Sequence, residues 1–193
     1  MKLKTKDLTV VAVLAAISVI LQYLEFPIPA LIPSFVKFDF SDIPALIGAF
    51  LSGPLCGVLI CLLKNLIHLA VSQSGGVGEL ANFLLGTAFV VPAGIIYKRN
   101  KNRKTALTGC IIGSVLMGIL SFPINYFITY PFYSNFMPID AIIAAYNEIF
   151  KISGGLISCL LVFNLPFTII KGLISSVLTF VIYKKISRFI KSF

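Results

Sequence analysis

Long apolar runs alternate along this chain with short breaks that are polar or rich in proline. A helix needs about 20 apolar residues to cross the hydrocarbon core of a bilayer, so the runs can be read as spans. The first, residues 8–24, contains no charged side chain. Pro27, Pro29 and Pro33 then forbid a regular helix and leave a long loop through Phe40. A short second helix is expected over residues 43–51, with Asp42 as its cap and Pro44 tolerated in its first turn. Gly53 and Pro54 break it. A third helix runs from 54 to about 71, a turn at 72–76 leads to a fourth over 78–97, and a fifth covers 105 to about 130. The loop at 131–153 holds a short amphipathic piece near 139–150, and a sixth helix runs from about 156 to 184.

Composition turns this count into a fold class. Of 193 residues 58% are hydrophobic and only 12% charged, with a mean hydropathy of +1.00, which identifies an all-α integral membrane protein rather than a soluble domain. The first run has the basic start of a secretory signal, but it lacks a small-residue cleavage site and further runs follow it, so it reads as a retained helix. Twelve of the sixteen basic residues sit in three places: Lys2, Lys4 and Lys6; the loop from Lys98 to Lys104; and the tail holding Lys184, Lys185, Arg188 and Lys191. The positive-inside rule assigns all three to the cytoplasm. Four crossings must then precede Lys98 and two must follow it, which gives six transmembrane helices with both termini cytoplasmic. Six of the seven acids lie in or beside other segments, and the loops at 25–41, 72–78 and 131–153 share the outer face. Residues 1–193 read as one six-helix domain in a lipid bilayer. The basic runs have no interleaved aromatic platform, which argues against a nucleic-acid partner despite the net charge of +9.

The chemistry is concentrated in polar residues within apolar runs, because ionisable groups are costly in a bilayer. On the sixth helix Asn164, Thr168, Lys171 and Ser175 fall on one stripe, with Lys171 near the middle of the span. The stripe fits either a ligand site or hydrogen-bonded glue between helices. Glu79 and Asn82 open the fourth helix. Asn125, Tyr126 and Tyr130 lie late in the fifth. All three groups belong to the outer halves of their helices, beneath the loop of Phe38, Asp39, Phe40 and Asp42, and together they outline a pocket open to the outside. Lys64 and His68 share a face of the third helix without an evident role; the histidine reads as a hydrogen-bonded packing residue. Ala12 and Ala16 form a small-x-x-x-small pair that suits close approach of another helix, in a partner or in this chain. No ligand set for a metal, no phosphate-binding loop and no dinucleotide fingerprint is present, and Cys56, Cys61, Cys110 and Cys159 read as small hydrophobes.

Four stretches, KFDFSDIPALIGAF, GPLCGVLICLLKNLIH, GVGELANFLLG and PFTIIKG, closely resemble motifs of the riboflavin-specific substrate-binding (S) components of energy-coupling factor (ECF) vitamin transporters. The resemblance covers most of the chain. It implies a non-enzymatic, six-helix subunit of the bacterial plasma membrane that captures riboflavin outside, with no cofactor, and works with a transmembrane coupling protein and two cytoplasmic ATPases. Position by position, it makes residues 35–42 the loop over the vitamin and Glu79, Asn82, Asn125 and Lys171 its ligands. Ala12 and Ala16 would engage the coupling protein. Thr168 stands where the family motif has asparagine, and Asn164 lies one turn earlier. A flavin needs apolar walls with a few donors and acceptors at its pyrimidine edge, which carboxamides and a lysine can supply. The competing readings are an S component for another small vitamin or a flavin phosphate, and an ion-coupled secondary transporter; no internal repeat supports the last.

Overall fold

A computed structural model describes residues 4–152 and 154–190, with side chains through residue 182. The side chains of Lys2, Lys184, Lys185, Arg188 and Lys191, and the expected loop end at Ser153, lie outside the described residues. The helices are α1 (Thr5–Tyr23), α2 (Asp42–Ser52), α3 (Pro54–His68), α4 (Val77–Arg99), α5 (Arg103–Ile124), α6 (Tyr130–Tyr133), α7 (Ile139–Ile149), α8 (Gly155–Cys159) and α9 (Leu165–Ile190). Among the described residues five helical stretches, Thr5–Tyr23, Pro54–Val71, Val77–Arg99, Arg103–Tyr133 and Gly155–Ile182, are long and apolar enough to cross a membrane. Helix α2, with 11 residues, is not. The protein is therefore all-α apart from one small ribbon, and built to pass the bilayer several times.

The outer surface and the interior are sorted in the manner of a membrane bundle. Leu107, Ile111, Leu116 and Ile119 of α5 are exposed, while Ser18, Ser114, Ser121 and Ser175 are fully buried. Lipid rewards no burial of leucine, so close packing of small residues and internal hydrogen bonds hold the helices instead. Gly113 shows how close the approach is: a Cβ built there would stand 2.4 Å from the Phe89 carbonyl oxygen, and one on Gly109 2.9 Å from that of Ala93. These contacts dock α5 on α4.

Helix α2 lies at the centre. Every residue from Asp42 to Phe50 is buried, and the helix packs against α1, α3, α4 and α9. Gly53, at φ 99°, reverses the chain, and Pro54 begins α3 where its missing N–H costs nothing. Asp42 is not the expected cap: it lies within the helix, after Ser41, and its side chain turns inward.

Two features escaped the hydropathy pattern. The first loop contains a two-residue antiparallel ribbon, β1 (Phe26–Pro27) with β2 (Lys37–Phe38), pairing Phe26 with Phe38. The second is a pair of wide π-helical turns, Asn125–Thr129 before α6 and Leu160–Asn164 before α9. Each contains the residue four positions before a proline, Phe127 before Pro131 and Val162 before Pro166. A proline ring collides with the carbonyl four residues earlier in an α-helix and supplies no N–H to it, and a wider turn relieves both faults. The helices continue past these prolines instead of breaking.

Candidate ligand site

The first loop, α3, α4 and the π-turns at the ends of α5 and α8 enclose a cavity of about 420 Å³, a size suited to a small-molecule ligand. Of the side chains expected to form a site, Asp39, Glu79, Asn82, Asn125, Asn164, Thr168 and Lys171 line it. Gln22, His68 and Phe167 also line it; none was singled out as a binding residue from sequence. Asn125 and Asn164 are carried by the two π-turns, which therefore set the direction of both carboxamides.

Three expected residues stand behind the wall rather than on it. Phe38 is buried against Phe26, Phe40 and Phe167, with ring centroids 5.7, 5.2 and 6.1 Å apart. Phe40 also meets Phe26, at 6.2 Å. Tyr130 is buried with its hydroxyl bonded to that of Tyr146, which in turn donates to Asn164 Oδ1 at 2.6 Å. Asn164 Nδ2 donates to the Tyr130 hydroxyl at 3.3 Å. This clamp fixes the Asn164 carboxamide and still leaves it one N–H and one lone pair for a ligand. The side chains of Asn82 and Asn125 make no hydrogen bond among the described residues.

Lys171 is engaged by the loop itself. Its ammonium donates to Asp39 Oδ2 at 2.7 Å and lies 3.8 Å from Asp42 Oδ2. Asp39 accepts in addition from the Ser41 backbone N–H at 2.8 Å and from the Ser41 hydroxyl. Lys64, fully buried, donates to Ser41 Oγ at 2.5 Å and to Asp42 Oδ1 at 2.7 Å. Two lysines and two aspartates thus form one buried, charge-balanced group that ties the loop to α2, α3 and α9. Lys64 shares a face of α3 with His68, and its partners are not evident from the sequence.

Burial acts to raise the Asp39 pKa, and the neighbouring ammoniums of Lys171 and Lys64, with the bonds from Lys171 and Ser41, overcome it and hold the carboxyl below the usual carboxylate range. A depressed folded-state pKa means that the stabilisation is complete above the unfolded value of about 4 and is lost only as pH falls through the folded one. The difference in thermal midpoint between the parent and Asp39→Asn should therefore stay constant from about pH 8 to pH 5. A difference that shrinks within that window would contradict the pairing.

The mouth of the cavity has a second polar group. Glu79 accepts from Ser72 and Ser74 at 2.8 and 2.9 Å, and its other oxygen lies 2.9 Å from His68 Nδ1. Lys37 donates to Glu25 at 2.6 Å and to Gln73 at 3.1 Å, joining the first loop to the turn before α4. His68 is hydrogen-bonded as expected, but it also faces the cavity. On α1, Ala12 and Ala16 are exposed, while Val11, Leu14, Ala15 and Ser18 are buried. Among the described residues, packing leaves the alanine pair exposed.

The sequence pattern of the family described as "ECF transporter, substrate-specific component" matches residues 6–183. The chain belongs to that family. This S component is 35% identical to the riboflavin transporter RibU of Staphylococcus aureus (strain TCH60) over 188 residues, 97% of this chain and 94% of that one. It is 32% identical to the riboflavin transporter FmnP of Bacillus subtilis (strain 168) over 192 residues, 98% and 96% of the two chains. It also superposes on a solved S component of a bacterial ECF transporter with a TM-score of 0.76 at 34% identity, covering 96% of this chain and 98% of the other. These relatives are named as transport proteins, and the S component here is a membrane transport component rather than an enzyme.

Proposed function

We propose that this S component captures riboflavin at the outer face of the bacterial plasma membrane and hands it to an ATP-driven ECF assembly. The observation that carries the reading is the composition of the cavity. The carboxamides of Asn82, Asn125 and Asn164 and the ammonium of Lys171 are among the groups that line a space of about 420 Å³ beneath an aromatic loop. Carboxamides match the paired donors and acceptors of a flavin pyrimidine edge, Lys171 donates to a ring carbonyl, and Glu79 with Asn82 receives the ribityl hydroxyls. Two nearly full-length relatives named as riboflavin transporters support the same ligand. Thr168, in the cavity wall, adds a hydroxyl beside Lys171.

The working unit is one six-helix transmembrane substrate-binding domain, residues 1–193, with α2 as its short central member and both termini in the cytoplasm. The basic residues Lys98–Lys104 between α4 and α5 support that orientation. The exposed face of Ala12 and Ala16 receives the transmembrane coupling protein, and two cytoplasmic ATPases supply the energy.

The chain has no tryptophan, so binding is best read from the ligand. Added riboflavin should lose its fluorescence in proportion to purified, ligand-free protein, with no nucleotide present. Vesicles carrying the protein alone should not concentrate riboflavin, and those with the coupling protein and ATPases should do so when ATP is supplied. Failure to quench would overturn the ligand; accumulation driven by a proton gradient without ATPases would overturn the coupling.

A further inference from the structure

Lys64 does not touch the cavity, yet it is the second cation of the group that holds Asp39 and Lys171, two residues that do. Its ammonium reaches Asp39 through the Ser41 hydroxyl and takes one oxygen of Asp42, whose other oxygen has no hydrogen-bond partner. Without Lys64, two buried carboxylates would share the one ammonium of Lys171, at 2.7 and 3.8 Å. Uncompensated buried charge is strongly unfavourable, so Lys171 would be held between the aspartates and withdrawn from a ligand.

We propose that Lys64 is a positioning residue for ligand capture: by neutralising Asp42 and steadying Ser41 and Asp39, it leaves Lys171 free to turn its ammonium toward the bound molecule. The inference rests on the riboflavin reading and deepens it. When Lys171 turns toward the ligand, Asp39 keeps both hydrogen bonds from Ser41 and Asp42 keeps Lys64. The same arrangement favours an uncharged polar group over an anion at this end of the cavity, since the four charges already sum to zero.

Charge balance gives a test that simple loss of packing does not mimic. The parent, Lys64→Met and the double variant Lys64→Met with Asp42→Asn are compared for monodisperse elution and helicity, then titrated with riboflavin by fluorescence quenching. The single variant should bind at least tenfold more weakly, and the double variant, with the surplus carboxylate removed, should return to within about threefold of the parent. A purely structural lysine would leave the double variant as weak as the single one. A folded Lys64→Met protein that binds like the parent, or a double variant without recovery, would overturn the assignment. If the single variant does not fold, the double variant alone decides, since tenfold weakening in a folded double variant refutes the inference and parental affinity supports it. A parent that fails to quench riboflavin refutes the ligand instead. Thermal midpoints, which need no ligand, then test the charge balance on which the inference stands: a midpoint lowered in the single variant and not restored in the double one overturns it.

Discussion

Replacing Lys171 by methionine should weaken riboflavin binding about a hundredfold while leaving a folded protein. Methionine keeps most of the length and apolar bulk of the side chain and removes the ammonium. A hydrogen bond from a charged donor contributes about 1.5–3 kcal/mol, which is about 10- to 150-fold in affinity. The upper part of that range is expected because the change also deprives Asp39 of its 2.7 Å partner at the cavity wall, placing an unpaired carboxylate beside the ligand. Fluorescence titration measures the affinity, and elution profile and helicity establish the fold. Adding Asp39→Asn should recover part of the loss, since that carboxylate is then neutral. A Lys171→Met protein binding as tightly as the parent would remove Lys171 from the site.

The largest effect on stability is expected at Gly113, which does not itself line the cavity. An added methyl group there meets the Phe89 carbonyl oxygen at 2.4 Å, and the obstacle is backbone, so it cannot move aside as a flexible side chain would. Overpacking typically costs about 1–3 kcal/mol, and Gly113→Ala should fall in the upper half of that range, seen as a clear drop in thermal midpoint in detergent. Leu116→Ala, on the exposed face of the same helix, should shift the midpoint much less. Equal shifts for the two variants would mean that the close approach of α4 and α5 contributes little.

Much of this architecture was legible because hydrophobicity, proline and charge act locally. The runs at 8–24 and 54–71 match α1 and the stretch from α3 to Val71 within a few residues, and the amphipathic piece near 139–150 is α7. The burial of α2 was not legible, because hydropathy gives the same value to a segment facing lipid and one facing protein. The π-turns were equally hidden: they arise from the collision of a proline with a carbonyl one turn back, which a residue count cannot reveal. At the site, Asn125, Asn164 and Lys171 stood out as polar residues in apolar surroundings, and the structure brings them to one cavity. Phe38, Phe40 and Tyr130 were indistinguishable in sequence from cavity-facing aromatics, and packing put them behind the wall. The pairing of Lys64 with Asp42 depends on how α2 folds back on α3 through Gly53, which residue spacing alone does not reveal.

The buried pairing of Asp42 with Lys64 also bears on how the chain enters the bilayer. Inserting a lone lysine or aspartate at the middle of a membrane helix costs about 2.5–3.5 kcal/mol, and α2, with 11 residues, is too short to cross independently. Helices α2 and α3, joined through Gly53, can cancel the two charges against each other at 2.7 Å if they insert as one hairpin. Asp39 remains without its second cation until α9 arrives, more than a hundred residues later in synthesis. The cavity is therefore completed last: nascent chains halted before Lys171 should carry the hairpin intact and have no capacity to retain riboflavin.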